Sequence, residues 1–547
     1  ALARMTWQAS WLGCVYGGVA GLFLSLALRI STLEGQLAGI ALGTACTLTW
    51  HLRPGHMAID AFPVLRSKSF VSHVAAGVIL GCHAMLYASN SFTMWEDRIT
   101  LGMLTAILLA RAWAGLGAPL TRWQLRIPIM AVIALVLVRV ASMSRVCREE
   151  QAPYCTPSFY AYHATTDFAD NPAYALSGPA TNSPYALLAA YVVAFGIADV
   201  LRQALMPSRA HLSTASTLLT WVIRPAMLGA AGFWLADWVH GLDRWDEPTR
   251  ATFFVVKMWV ARVVLVVLLC GSVYWYLSPL SLSVLHERPA PGAQARVLLL
   301  GFGNTFGAAF LLAMSLIFAY LFLLSQPMGQ LALTACFVAL LLLAELGDHE
   351  RDARLLAASK LAEATKTKEV TSTRHGPSFL DVVCVALLGF VAFFGTGHQA
   401  TFSSIQWRVA FVGFSTVTYP WSPLFVILNA FGPLCVLPAF GVVLLTLWNL
   451  APTRERPDEE RPPPMRLPCD ILRSALALLL YAGTLTLSAA TWAWFFRRHL
   501  MLFKIWVPRY MTAGLGLLVT DVALLGAVLT AWCIASHTSR AFGTLYS

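Results

Sequence analysis

The stretch at 397–407, Gly-His-Gln-Ala-Thr-Phe-Ser-Ser-Ile-Gln-Trp, has the side chains best suited to meeting a polar ligand. His398 and Gln399 present ring and amide groups that both donate and accept hydrogen bonds, which is how a polar head group is recognised. A lone His is more often structural than a ligand. No second His or Cys stands beside it at metal-ligand spacing, so no metal is assigned. A second cluster, Arg497, Arg498, His499 and Lys504, is basic and interleaved with aromatic residues. Arg offers a planar fork and Lys a point charge for phosphate oxygens. Membrane anchoring without specificity is the plainer alternative, with Trp506 and Tyr510 in the head-group belt. Glu96 and Asp97 are adjacent, so on a helix they point about 100° apart and make a poor catalytic pair. A ligand role and a bland role as acids at the positive end of the next helix stand level.

Two further pairings concern stability. Cys147 and Cys155 bracket a short polar loop and would close as a disulfide in an oxidising compartment; two free thiols are the alternative. Arg224 and Asp521 each lie ten or so residues into an apolar run, roughly 15 Å deep at ~1.5 Å per residue. A mid-membrane charge costs at least ~2.5 kcal/mol on insertion scales and must find a partner. The expectation is that these two pair, with Arg262 as the rival partner. Asn304 among Gly301, Gly303 and Gly307, and Asn429 before Gly432, Pro433 and Pro438, mark irregular or closely packed helices, close packing being the better reading.

The elements that position these residues are membrane helices. The 547 residues have a mean hydropathy of +0.66 and are 12% charged, against about 25% in soluble domains. Apolar runs long enough to span a bilayer recur throughout. They are continuous rather than alternating, which excludes a β-barrel. The fold expected is an all-α polytopic transmembrane bundle of about 14 spans. They fall near 9–28, 36–52, 71–89, 99–115, 127–143, 185–204, 213–237, 254–277, 297–324, 327–346, 379–395, 421–449, 469–496 and 511–535. The whole of 1–547 reads as one multi-span membrane domain, with 347–378 and 450–468 as cytosolic linkers whose plainest reading is a solvated connector, a surface helix being the alternative for 347–378.

Loops 53–70, 116–126, 202–212, 280–296, 347–378 and 450–468 hold most of the Lys and Arg and fall on one side, the cytosolic side by the positive-inside rule. The net charge of +11 is thus a topology signal, not a nucleic-acid one. The unusual loops, including 89–98, 144–184, 397–420 and 497–510, share the opposite side. The 11 cysteines lie mostly in apolar runs, where they act as small core residues. P-loop, G-x-S-x-G and H-E-x-x-H motifs are missing, as is any array of Asp and His for a two-metal centre. Residues alone do not make this chain an enzyme.

The loops in order (Ser89-Asn90-Ser91-Phe92 with Trp95-Glu96-Asp97-Arg98, the 147–155 loop, Gly397-His398-Gln399-Ala400-Thr401-Phe402, Ala410-Phe411-Val412-Gly413, and Arg497-Arg498-His499-Leu500-Met501) resemble the C-terminal membrane region of the GPI ethanolamine phosphate transferases. The Gly-His-Gln-Ala-Thr segment is most similar to the transferase 3 type. The resemblance implies an enzyme of GPI-anchor biosynthesis in the endoplasmic reticulum membrane. Such an enzyme moves phosphoethanolamine from phosphatidylethanolamine to a mannose of the GPI precursor, the third for this type. It also implies a small multi-span stabilising subunit of the PIG-F type. The family's Thr nucleophile and metal, zinc, belong to an alkaline-phosphatase-like lumenal domain that is not in this chain. No catalytic residue is carried over, and no cofactor is expected here. The chain starts Ala-Leu-Ala-Arg, which reads as a piece of something longer. An upstream lumenal domain would need residue 1 on the lumenal side, whereas an even span count puts it on the cytosolic side. Two other classes remain: a lipid or small-molecule transporter or flippase, from the intramembrane charges and broken helices, and a non-catalytic membrane scaffold.

Overall fold

In the computed structural model the described residues are 68–116, 125–146, 151, 184–241, 245–287, 296–365, 376–400, 404–452 and 466–546. Helices dominate: α1 (Lys68–Met85), α2 (Glu96–Leu116), α3 (Arg126–Ser142), α4 (Pro184–Leu205), α5 (Thr214–His240), α6 (Glu247–Leu277), α7 (Thr305–Leu324), α8 (Pro327–Thr365), α9 (Phe379–Gly395), α10 (Trp421–Leu447), α11 (Arg466–Phe495) and α12 (Val507–Tyr546). Eight helices among the described residues are long and apolar enough to cross a membrane, and two shorter apolar ones, Ser72–Ala88 and Phe379–Gly395, accompany them. The all-α polytopic class is therefore what the chain adopts. Every expected span on described residues contains a helix; those near 9–28 and 36–52 lie outside them.

Two boundaries need correction. The span expected at 297–324 does not begin as helix. Its first residues form β2 (Arg296–Leu300), antiparallel to β1 (Ser283–Glu287) with Ser283 opposite Leu300. The Val-Leu-Leu-Leu run is apolar enough to pass as helix, but Gly301 turns the chain at φ +87°, a conformation only glycine takes freely. The linker expected at 347–378 is helical as far as Thr365, because α8 continues without a break for 39 residues. The core of 450–468, residues 453–465, lies outside the described residues.

The helices fall into two compact units. One comprises the described part of 1–93 with 378–380 and 480–517; the other comprises 94–377, 381–479 and 518–547. In the larger unit α7 is the centre, with 89% of its apolar window buried, whereas α6 is only 17% buried and turns Val256, Trp259, Val263 and Val266 outward. The irregular positions foreseen in the sequence are close-packing sites. Asn304 is buried and its Oδ1 accepts from the Asn449 N–H at 2.9 Å. A Cβ on Gly307 would stand 2.9 Å from the Leu447 carbonyl and the Trp448 Cα, so α7 can approach the end of α10 only through a glycine. Single π-helical turns interrupt α5 at Leu219–Ile223 and α10 at Gly432–Val436, where Pro433 removes a backbone donor.

The ends of the larger unit are tied separately. At one end the buried Arg111 guanidinium of α2 donates to Asp381 of α9 and, at 3.2 Å, to Glu350 of α8. Asn449 donates to Asp348 there at 2.7 Å. At the other end Asp97, Arg145, Gln399 and Asn429 make the contacts described next.

Candidate functional site: a polar cap, a charged cavity and a basic rim

In the larger unit residues 396–400 and 404–406 are arranged around His398. Gly397, at φ +85°, reverses the chain at the end of α9 and sends the imidazole inward, where it is 2% exposed. Nε2 faces Asn429 Oδ1 at 2.9 Å and Nδ1 faces the Thr396 hydroxyl at 3.0 Å. Asn429 Nδ2 donates to the Leu324 carbonyl at 2.8 Å, which fixes the amide with its oxygen toward the ring. His398 therefore donates from Nε2 and accepts at Nδ1. Gln406 Nε2 closes the network on the Thr396 carbonyl at 2.9 Å, and the ring stacks on Phe393. Burial pushes the imidazole pKa down to about 4, against smaller opposing effects of Asn429 and Phe393. At neutral pH His398 is an uncharged strut, and both its nitrogens are spent inside the protein. The direct head-group contact expected of it is not what this geometry provides.

Gln399, Glu96 and Asp97 join the same cap. Gln399 Nε2 donates to the Val146 carbonyl at 2.8 Å. Asp97 takes Arg145 at 3.2 Å and Gln151 Nε2 at 3.4 Å, while Gln151 Nε2 also donates to the Met94 carbonyl at 2.6 Å. Glu96 is buried, and its carbonyl accepts from the Thr100 hydroxyl. The structure thus brings Glu96, Asp97, His398 and Gln399 to one end, where Asp97 holds Arg145 and Gln151 and Gln399 holds Val146. Cys147 and Cys155 lie outside the described residues.

An open space does exist at this end. A cavity of about 420 Å³ is lined by Asp237 and His240 of α5, by Arg250, Phe254 and Lys257 of α6, by Arg408 from the 407–411 turn, and by Phe233, Trp234, Phe411 and Phe414. Lys257 Nζ stands 2.8 Å from Asp237 Oδ1, and Arg408 stands 3.8 Å from Asp237 Oδ2. The wall from the 407–414 segment is pinned by two contacts. Arg262 Nε donates to the Gly413 carbonyl at 2.9 Å, and the Ser422 hydroxyl donates to the Ala410 carbonyl at 2.7 Å. Gly413, at φ +80°, makes the turn. Sequence reasoning missed Asp237, Lys257 and Arg408. The available signal was that Asp237 and Lys257 are charges at the same end of two consecutive apolar runs.

The expected intramembrane pair is corrected. Arg224 Nη2 lies 2.6 Å from Asp199 on α4, with its guanidinium over Phe195. Asp521 is exposed on α12. The helix packed beside α5 supplies the carboxylate, and sequence separation says nothing about which helix that is. The rival, Arg262, is the residue that holds Gly413.

In the smaller unit Arg497, Arg498, His499 and Lys504 are all exposed, together with Leu500 and Phe503. Arg497 lies over the Trp494 ring at 4.2 Å. Phe496 stacks on Trp506, and His499 meets that ring edge-on. Trp506 is buried and donates to the Tyr87 carbonyl at 2.9 Å. Arg509 donates to the Tyr87 hydroxyl. The aromatic stack therefore props a rim whose cations face outward. Among the described residues no three of His, Cys, Asp or Glu converge as a metal site requires.

Comparison with known proteins gives the following. No family model matches the chain, and no solved structure matches it. A protein of Eremothecium gossypii named GPI ethanolamine phosphate transferase 3 is 28% identical over 494 residues, covering 84% of this chain and 43% of that protein. The Saccharomyces cerevisiae protein of the same name is 28% identical over 485 residues, 81% of this chain and 42% of its own length. A human protein named GPI ethanolamine phosphate transferase 3, catalytic subunit, is 31% identical over 190 residues, 29% of this chain and 17% of that protein. The chain thus spans less than half the length of these relatives. Over most of its own length it is a homologue of proteins named GPI ethanolamine phosphate transferase 3, so the resemblance to the GPI ethanolamine phosphate transferases holds well beyond the loops that first carried it.

Proposed function

We propose that this chain is the membrane part of a GPI ethanolamine phosphate transferase of the endoplasmic reticulum. The reaction moves phosphoethanolamine from phosphatidylethanolamine to a mannose of the GPI precursor, the third by the transferase 3 resemblance. This part holds the lipid substrates at the bilayer surface and docks a small multi-span subunit of the PIG-F type. The nucleophile and a zinc centre come from an alkaline-phosphatase-like domain; the 40–43% share of the relatives' length that the chain covers leaves room for one. The observation that carries the reading is similarity to transferase 3 proteins along 80–84% of the chain. The exposed cations of Arg497, Arg498 and Lys504 support it, because a phosphate-bearing lipid needs such donors at head-group depth.

The test is phosphoethanolamine transfer to GPI precursors in membranes by the full-length protein, with and without Arg498→Ala plus His499→Ala, at matched protein and partner levels. Loss of charge-assisted contacts worth ~1.5–3 kcal/mol should lower transfer by about tenfold or more. Unchanged transfer would make the rim an anchor. No transfer by the unaltered protein would overturn the reading itself.

A further inference from the structure

We propose that the open face of the α4–α5 helix pair holds the phosphate of a glycerophospholipid between Arg202 and Arg224. Asp199 Oδ1 stands 2.6 Å from Arg224 Nη2 and 3.7 Å from Arg202 Nη1, so two guanidinium groups share one carboxylate oxygen. Among the described residues no other carboxylate pairs with either of them. Arg202 Nη2 donates to the Thr220 hydroxyl at 3.1 Å, which ties the α4 guanidinium to α5. The Arg224 guanidinium lies over the Phe195 ring at 5.3 Å, which ties the α5 one to α4. The three charged side chains leave one positive charge in excess across the seam. A phosphodiester monoanion cancels it, and guanidinium forks are the donors suited to phosphate oxygens.

Exposure and depth say what kind of molecule carries that phosphate. The Asp199 side chain is 45% exposed and that of Arg224 25%, so the pair is not sealed between the helices. Phe195, four residues before Asp199, and Trp221, three before Arg224, are exposed beside it. Asp199 stands six residues from the end of α4 at Leu205, and Arg224 ten from the start of α5 at Thr214, roughly 9 and 15 Å along the helices. Charges open to hydrocarbon at such depth are costly, so a polar group must lie against them. Phe195, Val192 and Leu188 are exposed at successively deeper turns of α4. The acyl chains of a lipid whose phosphate sits at Arg202 and Arg224 run along them. A dissolved anion would gain nothing from that apolar face.

This inference does not rest on the transferase reading, and its test measures binding without turnover. The purified protein in detergent is photolabelled with phosphatidylglycerol or with diacylglycerol, each bearing a diazirine on one acyl chain, and label on α4 and α5 peptides is read by mass spectrometry. The phosphatidylglycerol probe should label these peptides about tenfold more than the diacylglycerol probe at equal concentration, and excess sodium phosphate should not displace it. Arg202→Met with Arg224→Met and Asp199→Asn, which leaves no unpaired charge, should erase that margin. Arg202→Met alone keeps the Arg224–Asp199 pair in place, so it separates lost charge from lost fold, and it should cut the margin to about threefold or less. The proposal is overturned if the diacylglycerol probe labels equally (an apolar groove), or if sodium phosphate displaces the phosphatidylglycerol probe (a free-anion site). It is equally overturned if the full margin survives in either variant.

Discussion

Lowering the pH should loosen the cap through His398, by an amount the structure sets. The residue lies in the turn between α9 and α10, 2% exposed, with its neutral ring bonded to Asn429 and Thr396. Folded, it takes up a proton only near pH 4; unfolded, near the ordinary ~6.5. Between those values the unfolded chain binds a proton that the folded chain does not. Stability therefore falls as the pH drops through the window and levels off below it. The gap is about 2.5 pH units, and at ~1.36 kcal/mol per unit the loss is roughly 3 kcal/mol by pH 4. Other groups titrate in the same range, so the measurement is a difference. Unfolding midpoints of the unaltered protein and of His398→Gln are compared in detergent at pH 7.5, 6.5, 5.5 and 4.5. Gln keeps an amide in the site but cannot titrate. The variant should start less stable at pH 7.5 and the gap should narrow as the pH falls. Parallel curves at all four pH values would refute the argument, because they would mean that the ring is not held neutral by burial.

Two further outcomes follow from the charged contacts. Arg111→Ala leaves Asp381 and Glu350 together in a largely buried site and should cost about 3–5 kcal/mol, read as lost folded yield and a lower unfolding midpoint; an unaltered midpoint would mean that water reaches the carboxylates. Arg224→Asp should reduce expression, and adding Asp199→Arg should restore it, by about 1–2 kcal/mol because Asp199 is partly exposed. Rescue by Asp521→Arg instead would show that the pair at 2.6 Å is the wrong one.

Residue chemistry in one dimension determined the class and the approximate position of most described helices. An apolar run of about 20 residues has one stable solution in a bilayer, a helix whose backbone bonds to itself. The Gly-His-Gln segment was legible as special, and so were Glu96 and Asp97.

Only the tertiary structure decided what these residues touch. α6 and α7 are both strongly apolar, yet α6 is 17% buried and α7 is 89% buried. Lipid and protein interior are equally apolar, so hydropathy cannot separate a lipid-facing helix from a core one. The same ambiguity hid the role of His398: a polar residue at the membrane edge can face water or close a buried network, and Asn429, 31 residues away, settled which. It also hid the cavity. Asp237, Lys257 and Arg408 come from three separate segments and converge only once α5, α6 and the 407–411 turn have packed. A cavity made of long-range neighbours leaves no spacing to read, because the distances that define it are set by helix packing and not by the chain between.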